Sequence, residues 1–134
     1  MEDAGDSGEA DRRLRLEVQR RADGLLLHVA GELDVASCDA LRSVVDDLSE
    51  EQVPRIVIDL SDLAFTDSTG LGVLVRAHKH ARASGTTFAI ACPRGQVRDL
   101  FKMTGLVDAL HVLGTAEEAW AIADDRLQPR RQDR

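Results

Sequence analysis

The chain is poor in aromatic residues. It has no tyrosine, one tryptophan and three phenylalanines among 134 residues. Proteins that bind single-stranded nucleic acid stack bases on such rings, so that function class lacks its usual material here. Any core must be built from Leu, Val, Ile and Ala, which suits layered α/β packing better than an aromatic-rich β-sandwich. The two cysteines, Cys38 and Cys92, are far apart and lie in apolar surroundings. That spacing excludes a short zinc motif and reads as two small buried hydrophobes. No apolar run approaches the roughly 18–20 residues needed to cross a bilayer. The N-terminus also lacks the basic start and apolar stretch of a secretory leader. These absences point to a cytoplasmic protein with no metal, no cofactor and no membrane partner.

Negative charge is what the chain has in excess: 24 acidic residues against 17 basic ones, a formal net charge of −7. An acidic surface repels phosphate backbones, so no direct nucleic-acid partner is expected. The four arginines near the C-terminus (Arg126, Arg130, Arg131 and Arg134) read as a solvated tail. The hydrophobic share, 43%, is that of an ordinary globular chain, and the length suffices for one domain with a real core. Residues 1–13 and 126–134 are charged and offer little to pack, so both are expected to be disordered tails. A single domain is left over 14–125.

Periodicity orders the elements within it. Leu14, Leu16 and Val18 alternate with polar residues as in a half-buried strand, and Ala22-Asp23-Gly24 turns the chain into a second strand through Val29. Leu41, Val44, Val45 and Leu48 mark one helical face, with Asp34 or Ser37 available as N-cap. Ile56-Val57-Ile58 reads as a buried central strand. A helix through Leu71, Leu74, Val75 and His78 follows, then a strand over 86–91. Val97, Leu100, Phe101 and Thr104 make a third helix closed by Gly105. A short strand over Leu110–Leu113 precedes a last helix, opened by a capping box at Thr115 and Glu118 and carrying Trp120. The expected fold class is α/β: a mixed, mostly parallel sheet with an N-terminal β-hairpin and about four helices.

Chemistry concentrates in Asp67-Ser68-Thr69-Gly70-Leu71-Gly72. Ser68 stands at a helix start, where the first N–H groups lack intrahelical partners and the helix dipole is positive. A phosphoryl group there would add about −1.5 to −2 charge, which the helix end partly offsets. Gly70 and Gly72 each cost about 1 kcal/mol relative to Ala inside a helix, so they serve another need: bare backbone for an approaching protein, or close helix–sheet packing. Asp67 or Ser68 could equally be a plain N-cap. The segment is neither a G-x-S-x-G elbow nor a phosphate-binding loop. No histidine of the four (His28, His78, His80 and His111) is placed to act as a base, so catalysis is not expected. Lys102 and Met103, in the third helix, could belong to a partner surface, but the default reading is an exposed lysine and a core-filling methionine.

The hexapeptide resembles the Asp-Ser-Ser/Thr-Gly-Leu-Gly signature of STAS domains, above all those of bacterial anti-sigma factor antagonists. Gly31-Glu32-Leu33-Asp34 and Leu100-Phe101-Lys102-Met103-Thr104-Gly105-Leu106 match in the same order, and the resemblance spans about residues 14–124. It implies the STAS fold and a partner that is both anti-sigma factor and serine kinase. Unphosphorylated antagonist would capture that partner and free a sigma factor. Phosphorylation of Ser68 would end the capture, and a serine phosphatase would restore it. Asp34, Asp67, Ser68, Thr69, Gly70 and Gly72 would form the partner-binding surface, although Asp34 is also a good cap. A STAS subunit of another assembly, a stressosome or a phospholipid-transport accessory protein, is the alternative.

Overall fold

The computed structural model describes residues 13–127. Strand β1 (Arg15–Arg21) pairs antiparallel with β2 (Gly24–Leu33), with Arg21 opposite Gly24, so the expected hairpin forms about Ala22-Asp23. Helix α1 (Cys38–Glu50) leads to β3 (Arg55–Asp59), which lies parallel to the first half of β2 and is buried along its whole length. Next come β4 (Leu63–Thr66), α2 (Ser68–Ala83), β5 (Thr87–Ala91), α3 (Gln96–Met103), α4 (Leu106–Ala109), β6 (Val112–Leu113) and α5 (Ala116–Leu127).

The sheet runs β1-β2-β3-β5-β6, all parallel except β1. The crossovers from β2 to β3, β5 and β6 step in one direction. Strand order therefore never reverses, and right-handed connections put their helices on one face. Leu25, Leu27, Val29, Ile56, Ile58 and Ile90 point to that face and meet Leu41, Leu74, Phe101 and Leu110 in the main core. The opposite face carries a smaller cluster of Leu26, Val57, Ala89, Ala91 and Ala119 beneath α5.

Three departures from the expected order have local causes. Leu63–Thr66 is too short to show a period, yet its backbone pairs with the end of β2, Leu33 opposite Thr66. Helix α4 is a further turn after Gly105, whose φ of 75° closes α3 as expected. Leu110 and His111 belong to the turn before β6, with His111 at φ 55°. Of the alternating residues in β1, Leu14 and Leu16 are half-buried, but Val18 is 39% exposed because it lies on an edge strand. Helix α5 continues to Leu127, past the boundary expected at 125. The two tails otherwise lie outside the described residues.

Candidate functional site

Strand β2 changes partner halfway. Gly24–His28 pair with β3, the register shifts at Gly31/Glu32, and Glu32 and Leu33 then pair with Phe65 and Thr66 of β4. Gly31 permits the change. Its φ is 95°, and a Cβ there would come within 2.1 Å of the Arg13 carbonyl oxygen. Its N–H donates to the Asp62 carbonyl at 3.2 Å. The sequence places Ser68 after the central strand β3, whereas a further strand, β4, which pairs with the end of β2, leads into α2 and presents it.

Asp67 is the N-cap of α2: its backbone is extended, and its carboxylate accepts from the Gly70 N–H at 3.1 Å. Its own N–H donates to the Leu33 carbonyl at 3.3 Å, tying the cap to β2. Ser68 is the first helical residue, and its side chain is exposed. The N–H groups of Ser68 and Thr69 have no acceptor within the helix. Since Asp67 already uses the Gly70 N–H, the helix end offsets an added phosphate less than an uncapped end would.

The two glycines divide the alternatives between them. A Cβ at Gly70 would lie 2.2 Å from Thr66 Oγ1 and 2.8 Å from Leu33 Cγ, so this glycine lets the helix approach the sheet. A Cβ at Gly72 would meet nothing within 4 Å, and the residue is exposed. Gly72 therefore leaves bare backbone on the surface one turn below Ser68.

Asp34 is not the N-cap of α1. The N-cap of α1 is Ser37, without a side-chain capping bond. The Asp34 carboxylate instead accepts from the Ala36 and Ser37 N–H groups at 3.0 and 3.1 Å, and the Ser37 hydroxyl donates to the Glu32 carbonyl. These bonds hold the loop after β2 beside the β4–α2 junction. Among the described residues no cation pairs with Glu32, Asp34, Asp62 or Asp67, so the Ser68 edge is an acidic rim.

No histidine approaches this rim through a described bond. His28 lies on the opposite sheet face, with Nδ1 3.1 Å from Asp59, while His78 and His111 form an edge-on ring pair beside Phe88. Both cysteines are buried, and burial pushes the Cys92 thiol up to about 11. No group of three or more potential metal ligands occurs among the described residues.

Pattern reasoning missed a second cluster at the amino end of the sheet. Arg55 is buried at 5% exposure. It pairs with Asp23 of the hairpin turn and donates to the Trp120 carbonyl at 3.4 Å. Its guanidinium lies 4.3 Å from the Trp120 ring centre, and Arg21 approaches the same ring at 4.9 Å. No short-range pattern foretells it, since Arg55 and Trp120 are 65 residues apart.

A one-directional parallel sheet with an antiparallel hairpin, carrying a capped helix that displays a serine beside an acidic loop, defines a small α/β domain. The STAS domain model matches residues 14–119, and the chain belongs to that family. The anti-sigma-B factor antagonist of Bacillus subtilis is 31% identical over 104 residues, 78% of this chain and 94% of that protein. The anti-sigma F factor antagonist of Paenibacillus polymyxa is 32% identical over 94 residues, 69% and 80% of the two chains. The crystal structure of an anti-sigma factor antagonist from Mycobacterium paratuberculosis superposes with a TM-score of 0.79 at 22% identity, covering 84% of this chain and 96% of that one. That likeness supports the fold alone.

Proposed function

We propose that this protein is an anti-sigma factor antagonist. It binds an anti-sigma factor that is also a serine kinase, so that a sigma factor is released, and phosphorylation of Ser68 ends the binding. The observation that carries this reading is the position of Ser68: exposed at the start of α2, above bare Gly72, within an acidic rim that no cation among the described residues pairs with. Both curated relatives are named as antagonists of anti-sigma factors, which favours this reading over a stressosome or phospholipid-transport subunit.

The chemistry is simple on this side. The Ser68 oxygen takes the γ-phosphoryl group of ATP, ADP leaves, and the hydroxyl proton passes to a base on the kinase. The chain is the substrate of that step and not its catalyst, because Asp67 is committed to the Gly70 N–H and no histidine is at hand. A phosphatase returns the hydroxyl by hydrolysis. The partner surface comprises Asp34, Asp67, Ser68, Thr69, Gly70 and Gly72, with Gly70 acting through packing. Carboxylates on the rim call for a basic partner surface, and a phosphoryl group where the Ser68 hydroxyl packs against the partner adds bulk and the cost of desolvating a dianion. The working unit is the domain over 14–125, acting in the cytoplasm.

The test is incubation with candidate anti-sigma factor kinases and ATP, followed by mass spectrometry and titration. One phosphoryl group should appear on Ser68. Ser68→Ala should still bind, and Ser68→Glu should bind a few hundredfold more weakly, about 3–4 kcal/mol. Failure of Ser68→Ala to bind, or wild-type affinity in Ser68→Glu, overturns the reading. Phosphorylation by ATP without a kinase would show that the chain is itself an enzyme.

A further inference from the structure

The expectation that Met103 fills the core is wrong: its side chain is 82% exposed at the end of α3. Phe65 of β4 is 45% exposed. Among the described residues these are the largest apolar side chains turned to solvent, and they border one groove of about 240 Å³. Ala64, Phe65 and Thr66 form one wall, and Val97, Leu100 and Met103 the other. Asp99 stands among its lining residues.

This groove is continuous with the Ser68 edge. The Thr66 hydroxyl donates to the Asp67 carbonyl at 3.3 Å, so the wall of the groove touches the cap of α2. Exposed apolar side chains gathered beside a polar rim mark interaction sites, and flexible methionine suits a surface that must adapt to a partner. Charge narrows the occupant further: Asp67 adjoins one end and Asp99 lies on the wall, so the groove fits an apolar side chain flanked by basic groups.

We propose that the groove between β4 and α3 is the apolar anchor of the anti-sigma factor, and that it contributes the same affinity whether or not Ser68 carries phosphate. The proposal rests on the functional reading above. Its independence from phosphorylation follows from the physics of the two contacts. Phosphate acts through charge and is weakened by salt, whereas apolar burial responds to area and not to a nearby anion. The anchor therefore sets how tightly the pair holds, and Ser68 sets when it lets go.

The experiment titrates the full chain against each anti-sigma factor encoded in its source genome, at low and high salt. Met103→Ala and Phe65→Ala should each weaken binding roughly five- to tenfold. The same factors should recur in the Ser68→Glu background and at both salt concentrations. Asp62→Asn should lose much of its effect at high salt, and Val18→Ala, on β1 away from the groove, should bind as wild type. Thermal melting checks that the exposed positions leave the fold intact. If wild type binds but both groove variants bind as tightly, the anchor is overturned and the functional reading stands. An effect of the groove variants that vanishes in Ser68→Glu also overturns the anchor. If wild type binds none of those factors, both fall together.

Discussion

The two ends of the sheet handle charge in opposite ways. At the amino end Arg55 is taken out of water and given Asp23, the Trp120 carbonyl and the Trp120 ring. At the carboxyl end Glu32, Asp34, Asp62 and Asp67 have backbone or hydroxyl donors at most and no cation among the described residues. A satisfied charge cluster holds elements together, here the hairpin turn, β3 and α5. Like charges left without a counter-ion repel one another, a cost that the cations of the proposed partner would relieve on binding. The amino end is built for stability, and on the proposed function the carboxyl end serves recognition.

The largest break in this contrast should come from Trp120→Ala. It removes the ring over Arg55 and part of the smaller core, so thermal unfolding should show a loss of about 3 kcal/mol. Partner affinity of the remaining folded protein should not change. Next is the pair of glycines. Gly70→Ala drives a methyl into Thr66 and Leu33 and should destabilise by roughly 1–3 kcal/mol. Gly72→Ala enters open space and should stabilise the helix by up to about 1 kcal/mol while weakening partner binding. Denaturant unfolding and titration of the same two variants would separate packing from recognition, and equal effects at both positions would erase the distinction.

A smaller effect concerns acid. The hydrogen bond from Arg55 holds the Asp23 carboxyl below its ordinary range, and the bond from Arg20 does the same for Glu51. Both folded values are depressed, so their stabilisation is present above the usual carboxylate range, about 4, and is lost as pH falls through the folded values. Melting curves should show the acid-side decline, and Asp23→Asn should flatten part of it. The smallest expected signal is at Cys92. Burial raises its thiol to about 11, so thiol reagents at neutral pH should modify it only on unfolding.

Much of the candidate site is legible in the sequence. A cap at Asp67 or Ser68, the position of Ser68 near the start of α2 and the Gly105 stop all follow from neighbours within a few residues, and the structure makes Asp67 the cap. The capping box was half right: Thr115 accepts from the Glu118 N–H, but Glu118 reaches the Gly114 N–H instead of closing the box. Strand β4 was not legible, because four residues with a buried-exposed-exposed-buried pattern show no period. Met103 lies two residues after fully buried Phe101, about 200° round the helix, so it falls off the face that packs on the core.

By itself the sequence determined the alternation of strands and helices, the helix starts and stops, and a serine displayed at one of those starts. Each depends on hydrogen bonds and side-chain spacings within one or two turns of chain. Only the tertiary structure decided that β2 exchanges β3 for β4, that Gly70 packs while Gly72 stays bare, and that Phe65 meets Met103 in one groove. It also decided that Arg55 finds Trp120. Those outcomes rest on contacts between distant segments, which form only once the chain is folded and which no local pattern encodes.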